Sequence, residues 1–520
     1  MRISTGQIHQ AALKSLLDQQ ASLSKTQQQV ATGKRILVPS DDPALSAELL
    51  GLDQTYKITT QYQENITAAR TRLNREESTL ASMTNILNRV RELANQGNNS
   101  TLTNIDRGAI AVEVKQGLNE LFSLANTRDA SGEYLFAGMQ SQTQPFSVDA
   151  SGNYSYNGDD GQRFIQIGPT RQVASGDSGL DVFQAARNGN GTFTTRDHPD
   201  NNGSGVIDPG SVTDPSAYDG DTYTISFPIS TPAGATLSFS DTVGTDDDLN
   251  YALAINGTTV YSVSESGTPV NTLDGLAAVI NDDSATTGVR AVVTGGGLYL
   301  LSTQPSSAPI TVTETLSGAS DGDSDTVTGY FGSQLTGTTT PSANLIYGPA
   351  DADFYVVEDS AGNIETSGPY GEYGEIAFNG IVTDIHGTPR SGDSFTIAPS
   401  SRQDMFSMVG ELVTTLEGGV GGGTSIAQYS NTMNRFLADI DQAMENINAV
   451  RARVGARLNA VDSQDELNSA FKLHIEEARS NLQDLDYASA ITRLNQQMMG
   501  LEAAQKSFLQ VQNLSLFNFL

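Results

Sequence analysis

Apolar side chains recur at every seventh position over two long stretches of the chain. Leu45, Leu52, Thr59, Ile66, Leu73, Leu80, Leu87 and Ala94 keep that spacing in the first. Met433, Ile440, Ile447, Val454, Val461, Asn468, Ile475 and Leu482 keep it in the second. Tyr56, Tyr62, Met83 and Val90 thicken the first stripe; Phe436, Ala443, Val450 and Phe471 thicken the second. A seven-residue apolar repeat belongs to helices packed along a seam. No proline interrupts Ala44–Gln96, so the spacing predicts one helix, roughly 80 Å long at 1.5 Å per residue. Gly97-Asn98-Asn99 ends it. A shorter helix is predicted from about Asn104 to Arg128, stopped by Gly132.

Thinner stripes flank these helices. Leu16, Leu23 and Val30 are seven apart within a helix over 8–31, with Leu13 beside them and polar Gln20 and Gln27 on the alternate positions. After Asp484-Leu485-Asp486-Tyr487, Ile491, Leu494, Met498, Leu501 and Phe508 mark another thin helix, which runs into the apolar tail Leu514–Leu520. The order is thin–thick at the start and thick–thin at the end. Antiparallel pairing sets thin beside thin and thick beside thick, with the middle inserted at the far end.

Between these ends the period changes. "DTYTISFPI" (Asp221–Ile229), "GLYLLST" (Gly297–Thr303), "PITVTET" (Pro309–Thr315) and "DFYVVED" (Asp353–Asp359) are short strand-like runs bounded by Gly, Asp, Ser, Thr and Pro. One echo joins Gly220–Ile225 to Gly392–Ile397, a turn followed by a strand used twice. The predicted fold class is multidomain α+β, with long antiparallel coiled-coil-like helices from both termini and an inserted β-rich middle. The expected divisions are 1–44 with 487–520 as terminal helical segments, 45–145 with 401–486 as a helical rod, and 146–400 as the middle. The middle itself divides at about 146–218 with 341–400, and 219–340.

Charge sharpens this division. Of 29 basic and 60 acidic residues, the middle (142–400) holds 6 and 32 and has no lysine. The net charge of -31 argues against nucleic acid, which needs a positive face, and against an anionic membrane surface. With no cysteine, disulfides, thiolate metal sites and cysteine nucleophiles are excluded. The first thirty residues carry no apolar core of signal-peptide type, so export is expected to proceed without a cleaved signal.

No catalytic constellation stands out, and the chain is expected not to be an enzyme, to need no cofactor and to have no metal site. His9, His198, His386 and His474 are scattered. "HIEEA" (His474–Ala478) lacks the second histidine of a zinc helix. "DGDSD" (Asp321–Asp325) has alternating acids, but Thr326 and Gly332 stand where a calcium loop needs Gly and Glu. Asp246-Asp247-Asp248 is a similar acidic turn, and "TGGGLYL" is better read as a hairpin than as a phosphate cradle.

"VATGKRILVPSDDPA" (Val30–Ala44) breaks the chain between two helices. Gly33 suits the left-handed residue that ends a helix, and Pro39 disfavours helix at Val38. Asp42 can cap the next helix with Pro43 in its first turn, and Asp41 favours the same positive end. Lys34 and Arg35 lie at the negative end of the helix before. This stretch resembles the linker between the first two domains of the flagellin superfamily of bacterial flagellar axial proteins. "AVRARVGARLNAV" (Ala449–Val461) and "DLDYASAITRLNQQ" (Asp484–Gln497) resemble the other end of that family. "MRIST", "GEYLFAGMQSQTQPF" (Gly132–Phe146), "SGDSFTIAPSSRQDMF" (Ser391–Phe406) and "LSLFNFL" are more similar to its hook–filament junction members than to its filament flagellins. "TLDGLAAVINDDSATTGVRAVVTGGGLYLLS" (Thr272–Ser302) resembles a short motif in the middles of several hook-associated proteins.

The resemblance implies an extracellular structural subunit exported unfolded. Its implied partners are copies of itself, hook-associated protein 1, flagellin and a flagellar export chaperone. Gly33, Lys34, Arg35, Pro39, Asp41, Asp42 and Pro43 would form the interdomain linker. The expected assembly contacts are Leu16, Leu23, Val30, Leu494, Leu501 and Phe508. A bulk filament flagellin is the alternative, and an acidic calcium-binding adhesin a lower one.

Overall fold

The computed structural model describes residues 5–231, 233–234, 236–240, 249–303, 309–317, 326–336, 342–347, 352–372 and 374–517. "DGDSD" and Asp246-Asp247-Asp248 lie outside the described residues. The helices are α1 (Thr5–Thr32), α2 (Pro43–Gly97), α3 (Asn104–Ala125), α4 (Leu273–Asp282), α5 (Ser284–Thr287), α6 (Met405–Gly418), α7 (Ile426–Gln483) and α8 (Tyr487–Phe517). They divide between two compact units. The terminal unit takes the described part of Met1–Asn74, Arg163–Ser175 and Gly455–Leu520; the central unit takes Arg75–Gln162 and Gly176–Val454.

In the terminal unit the helices pair antiparallel. Gln497 Nε2 donates to Ser22 Oγ at 2.8 Å, and Gln19 lies against Gly500: three residues forward on α1 are three back on α8. Along α2 and α7, Asp53 pairs with Arg479, Gln63 with Ser469 and Arg70 with Asp462. The expected match of thin with thin and thick with thick is what forms. Ile66, Ala69, Leu73 and Val461 are fully buried in the thick pair. Phe471 departs from the expected stripe and is exposed. Lys472 takes the inner place, its ammonium 4.7 Å from the centre of the Tyr56 ring.

A hairpin, Phe164–Gln166 with Gln172–Ala174, also belongs to this unit and not to the β-rich middle. Asn65 Nδ2 donates to Gln166 O at 2.8 Å, and buried Asn468 donates to Ile167 O at 3.0 Å. Polar side chains on the helices thus satisfy backbone carbonyls that would otherwise be orphaned at a helix face.

In the central unit, Leu80, Met83, Leu87, Ala94, Met433, Ile440, Ile447 and Val454 are wholly buried. Arg91 meets Asp441, and Asn98 meets Asn434. Helices α3 and α6 pack on each other, α3 starting on a capping box of Thr103 and Asp106. Phe146 and Phe183 pack around Phe406, with ring centres 5.0–5.2 Å apart, and Phe136 meets Phe183 edge-on at 5.4 Å. This aromatic core holds Phe136, Phe146 and Phe183 to α6 rather than to the β-rich middle.

Two β cores follow. The first has a five-stranded sheet in the order Ile364–Pro369, Phe354–Glu358, Tyr223–Ser226, Ser394–Pro399, Phe193–Asp197. The two strands of the internal echo are antiparallel neighbours here, with Tyr223 opposite Ile397 and Thr224 opposite Thr396. The second core contains the sheet Thr258–Ser264, Asn250–Ile255, Ile310–Ser317, Ser342–Tyr347, together with α4. Tyr223, Ile225 and Phe227 belong to the first core, so the second begins after them and not at 219. "TGGGLYL" is a two-residue hairpin: Thr294 pairs with Gly297, and Gly295 and Gly296 have φ +57° and +81°.

Many aspartates act as turn acceptors. Asp129, Asp149 and Asp359 each accept, through Oδ1, the N–H two and four residues on, and each loop closes on a glycine with positive φ. Bonds from Asn153 and Asn363, side chain first and then backbone, lower the carboxyl pKa of Asp149 and Asp359. Part of the acidity of the middle is thus local turn chemistry.

Candidate assembly interface

The two connections of the terminal unit are tied together. Gly33 closes α1 with φ +70°, and a Cβ there would stand 2.8 Å from Tyr487 Oη. Lys34 pairs with Asp484 as a β-bridge; Arg35 N–H donates to Gln483 O at 2.8 Å and Leu485 N–H to Gly33 O at 2.9 Å. The Arg35 guanidinium donates to Leu482 O at 2.8 Å, at the negative end of α7 rather than of α1. Gln29, buried on α1, donates to Arg35 O.

Asp41 organises the first connection. It accepts the Lys25 ammonium at 2.7 Å and the N–H groups of Leu37 and Val38, and these partners, Lys25 first, lower its carboxyl pKa. Asp42 caps α2 through Leu45 N–H at 3.0 Å, with Pro43 at the first helical position, where no donor is lost. Asp486 caps α8 through Ala488 and Ser489. Pro39 lies in the turn between the helices, and its carbonyl accepts from Ser46 at 3.5 Å.

Leu16, Leu23, Val30, Leu494, Leu501 and Phe508 are each half-buried on the paired helices α1 and α8. Other apolar side chains remain on the outside of this pair: Leu13, Leu17, Ile491, Met498, Met499 and Leu509, between 47% and 64% exposed. Three of these were missed by the seven-residue spacing. Leu17, Met499 and Leu509 each follow a stripe residue, about 100° further round the helix. Their signal was adjacency: two apolar residues in a row cannot both face one thin seam.

This exposure is concentrated. Among the described residues, 14 of the 21 exposed large apolar side chains lie in the terminal unit, which holds under a third of the chain. No described helix is long and apolar enough to cross a membrane. Large exposed apolar patches mark contacts with other macromolecules.

The bacterial flagellin N-terminal helical region matches residues 3–141, and the bacterial flagellin C-terminal helical region matches residues 437–520. Flagellar hook-associated protein 3 of Escherichia coli strain K12 is 31% identical over 185 residues, 36% of this chain and 57% of that protein. The chain therefore spans little more than half the length of that curated relative. The solved hook-associated protein 3 of Legionella pneumophila has a TM-score of 0.56 at 25% identity, covering 83% of this chain and 98% of the other. FlgL of Xanthomonas campestris has the same fold, with a TM-score of 0.55 at 23% identity over 82% of this chain and 99% of the other. The chain thus carries both flagellin helical regions, in order at its two ends, with a β-rich insertion between them.

Proposed function

We propose that the chain is a structural axial subunit of the bacterial flagellum, joining hook-associated protein 1 to the flagellin filament by helix-driven polymerisation. The observation that carries this is the concentration of exposed apolar side chains on the terminal unit. Copies packed side by side bury Leu17, Met499 and their neighbours, while Leu16, Leu23, Val30, Leu494, Leu501 and Phe508 order α1 against α8 and set those residues facing outwards. The connections Gly33–Pro43 and Asp484–Asp486, bonded to each other, pass that order on to α2 and α7. On this reading the protein works extracellularly at the hook–filament junction, reached by flagellar export with a chaperone. The helix pair formed by α1 and α8 is thin enough to open for that passage.

Deletion in the parent bacterium tests this. Loss of filaments with flagellin released into the medium is the expected result; normal filaments would refute the junction role. The filament-subunit reading makes a different prediction. Purified protein added to filament seeds would then elongate them without limit, whereas a junction subunit adds a bounded zone.

A further inference from the structure

Two carboxylates and an imidazole converge where strand Val206–Ile207 pairs with Ile385–His386. Ile207 is opposite Ile385, and one step further Asp208 faces Asp384, its N–H donating to Asp384 O at 3.1 Å. Asp384 immediately precedes the strand that carries His386, and residues two apart in extended chain share a face. His386 Nε2 lies 3.4 Å from Asp384 Oδ1 and 3.6 Å from Asp208 Oδ2. The three donor atoms lie within 4.8 Å of one another.

The cluster is short of positive charge. Like charges opposed across a strand pair are destabilising. Among the described residues no lysine or arginine pairs with either carboxylate, and Asp384 Oδ1 is shut off from water without a hydrogen-bond partner. Ligands about 2.1 Å from a tetrahedral ion stand about 3.4 Å from one another, close to the spacing of the imidazole from each carboxylate.

We propose that Asp208, Asp384 and His386 bind a divalent transition-metal ion of the zinc class, which clips the outgoing strand to the returning one. Two oxygens and one imidazole nitrogen, with water in the fourth place, suit such an ion. The clip closes the inserted segment 209–383 at its base, in a chain with no cysteine to form a disulfide there. Its ligands assemble only on folding, so binding favours the folded state.

The test titrates ZnCl₂ into the full-length protein by calorimetry and follows melting in zinc and in EDTA. Wild type is expected to bind one ion and to melt higher in zinc. Asp384→Asn and His386→Ala are expected to bind at least about tenfold more weakly. His198→Ala, at the separate His198–Asp200 pair, should bind like wild type. In EDTA, Asp384→Asn should melt at or above wild type, because one of two opposed charges is gone; in zinc the order should reverse. Absence of binding up to about 1 mM zinc, or equal affinity in wild type and both site variants, overturns the proposal. So does an Asp384→Asn variant that melts below wild type by the same margin in zinc and EDTA, since that is a purely structural effect.

Discussion

Glu314 is fully buried in the second β core, where Tyr251 O–H and, at 3.1 Å, Phe331 N–H both donate to its Oε1. Gly329 makes room for it: a Cβ there would lie 2.1 Å from the same oxygen. A side chain held by two buried donors cannot swing away. Gly329→Ala is therefore expected to lower stability by about 1–3 kcal/mol. Glu314→Ala orphans the two donors, at about 1–3 kcal/mol each. The double variant should cost less than the sum, because the clash needs both groups; additive urea midpoints would refute this coupling. Asp439 on α7 presents a different case. Burial raises its carboxyl pKa to about 6, against the N–H of Gly189 at 2.6 Å and the charge of Arg435, which pull it down. The folded state then holds a proton that the unfolded chain has released, so stability falls as pH rises from about 4 to about 6 and is level above. Asp439→Asn keeps an acceptor for Gly189. It should be about 1–3 kcal/mol more stable near pH 8 and indistinguishable near pH 4. Urea unfolding at the two pH values decides it.

At the scale of elements, α1 and α8 separate two roles for apolar side chains. Leu23 and Leu494 are half-buried on the paired helices, whereas Leu17 and Met499 stand more than half exposed. Leu17→Asp and Met499→Asp should leave the melting of the isolated protein within about 0.5 kcal/mol of wild type and yet block incorporation into flagella. Leu23→Ala should loosen α1 from α8, seen as faster amide exchange in both helices. If the aspartate variants incorporate normally, the outward residues are not the assembly surface. We further propose that the β-rich middle holds two cooperative units, divided after Phe227 rather than at 219. Each has its own core of buried aromatic and branched side chains.

Across the whole molecule, burial of the helical seams is uneven. Leu45 and Leu52 are half-buried, while Ile66, Leu73, Leu80 and Leu87 have no exposure. Local opening follows buried apolar contact. Amide exchange should therefore be fast along α1, α8 and the start of α2, and slowest between Leu73 and Ala94 and along Met433–Val461. In the polymer the fast set should become protected. Equal protection of α1 and α2 in the isolated protein would show that the terminal helices are already locked and would remove the coupling of order to assembly.

The sequence by itself determined the long helices, the breaks at Gly33 and Gly97, the antiparallel match of thin with thin and thick with thick, and the hairpin at Gly295-Gly296. These are local matters of period, capping and turn chemistry, and neighbouring residues settle them. The tertiary structure alone decided that Leu17 and Met499 stay outside, that Lys472 displaces Phe471, that the 164–174 hairpin joins the helices, and that Asp208 meets His386. A periodic stripe states how much surface seeks cover, but not which partner arrives first or how much of the stripe that partner can reach. Side chains nearly two hundred positions apart carry no spacing signal until strand register sets them face to face.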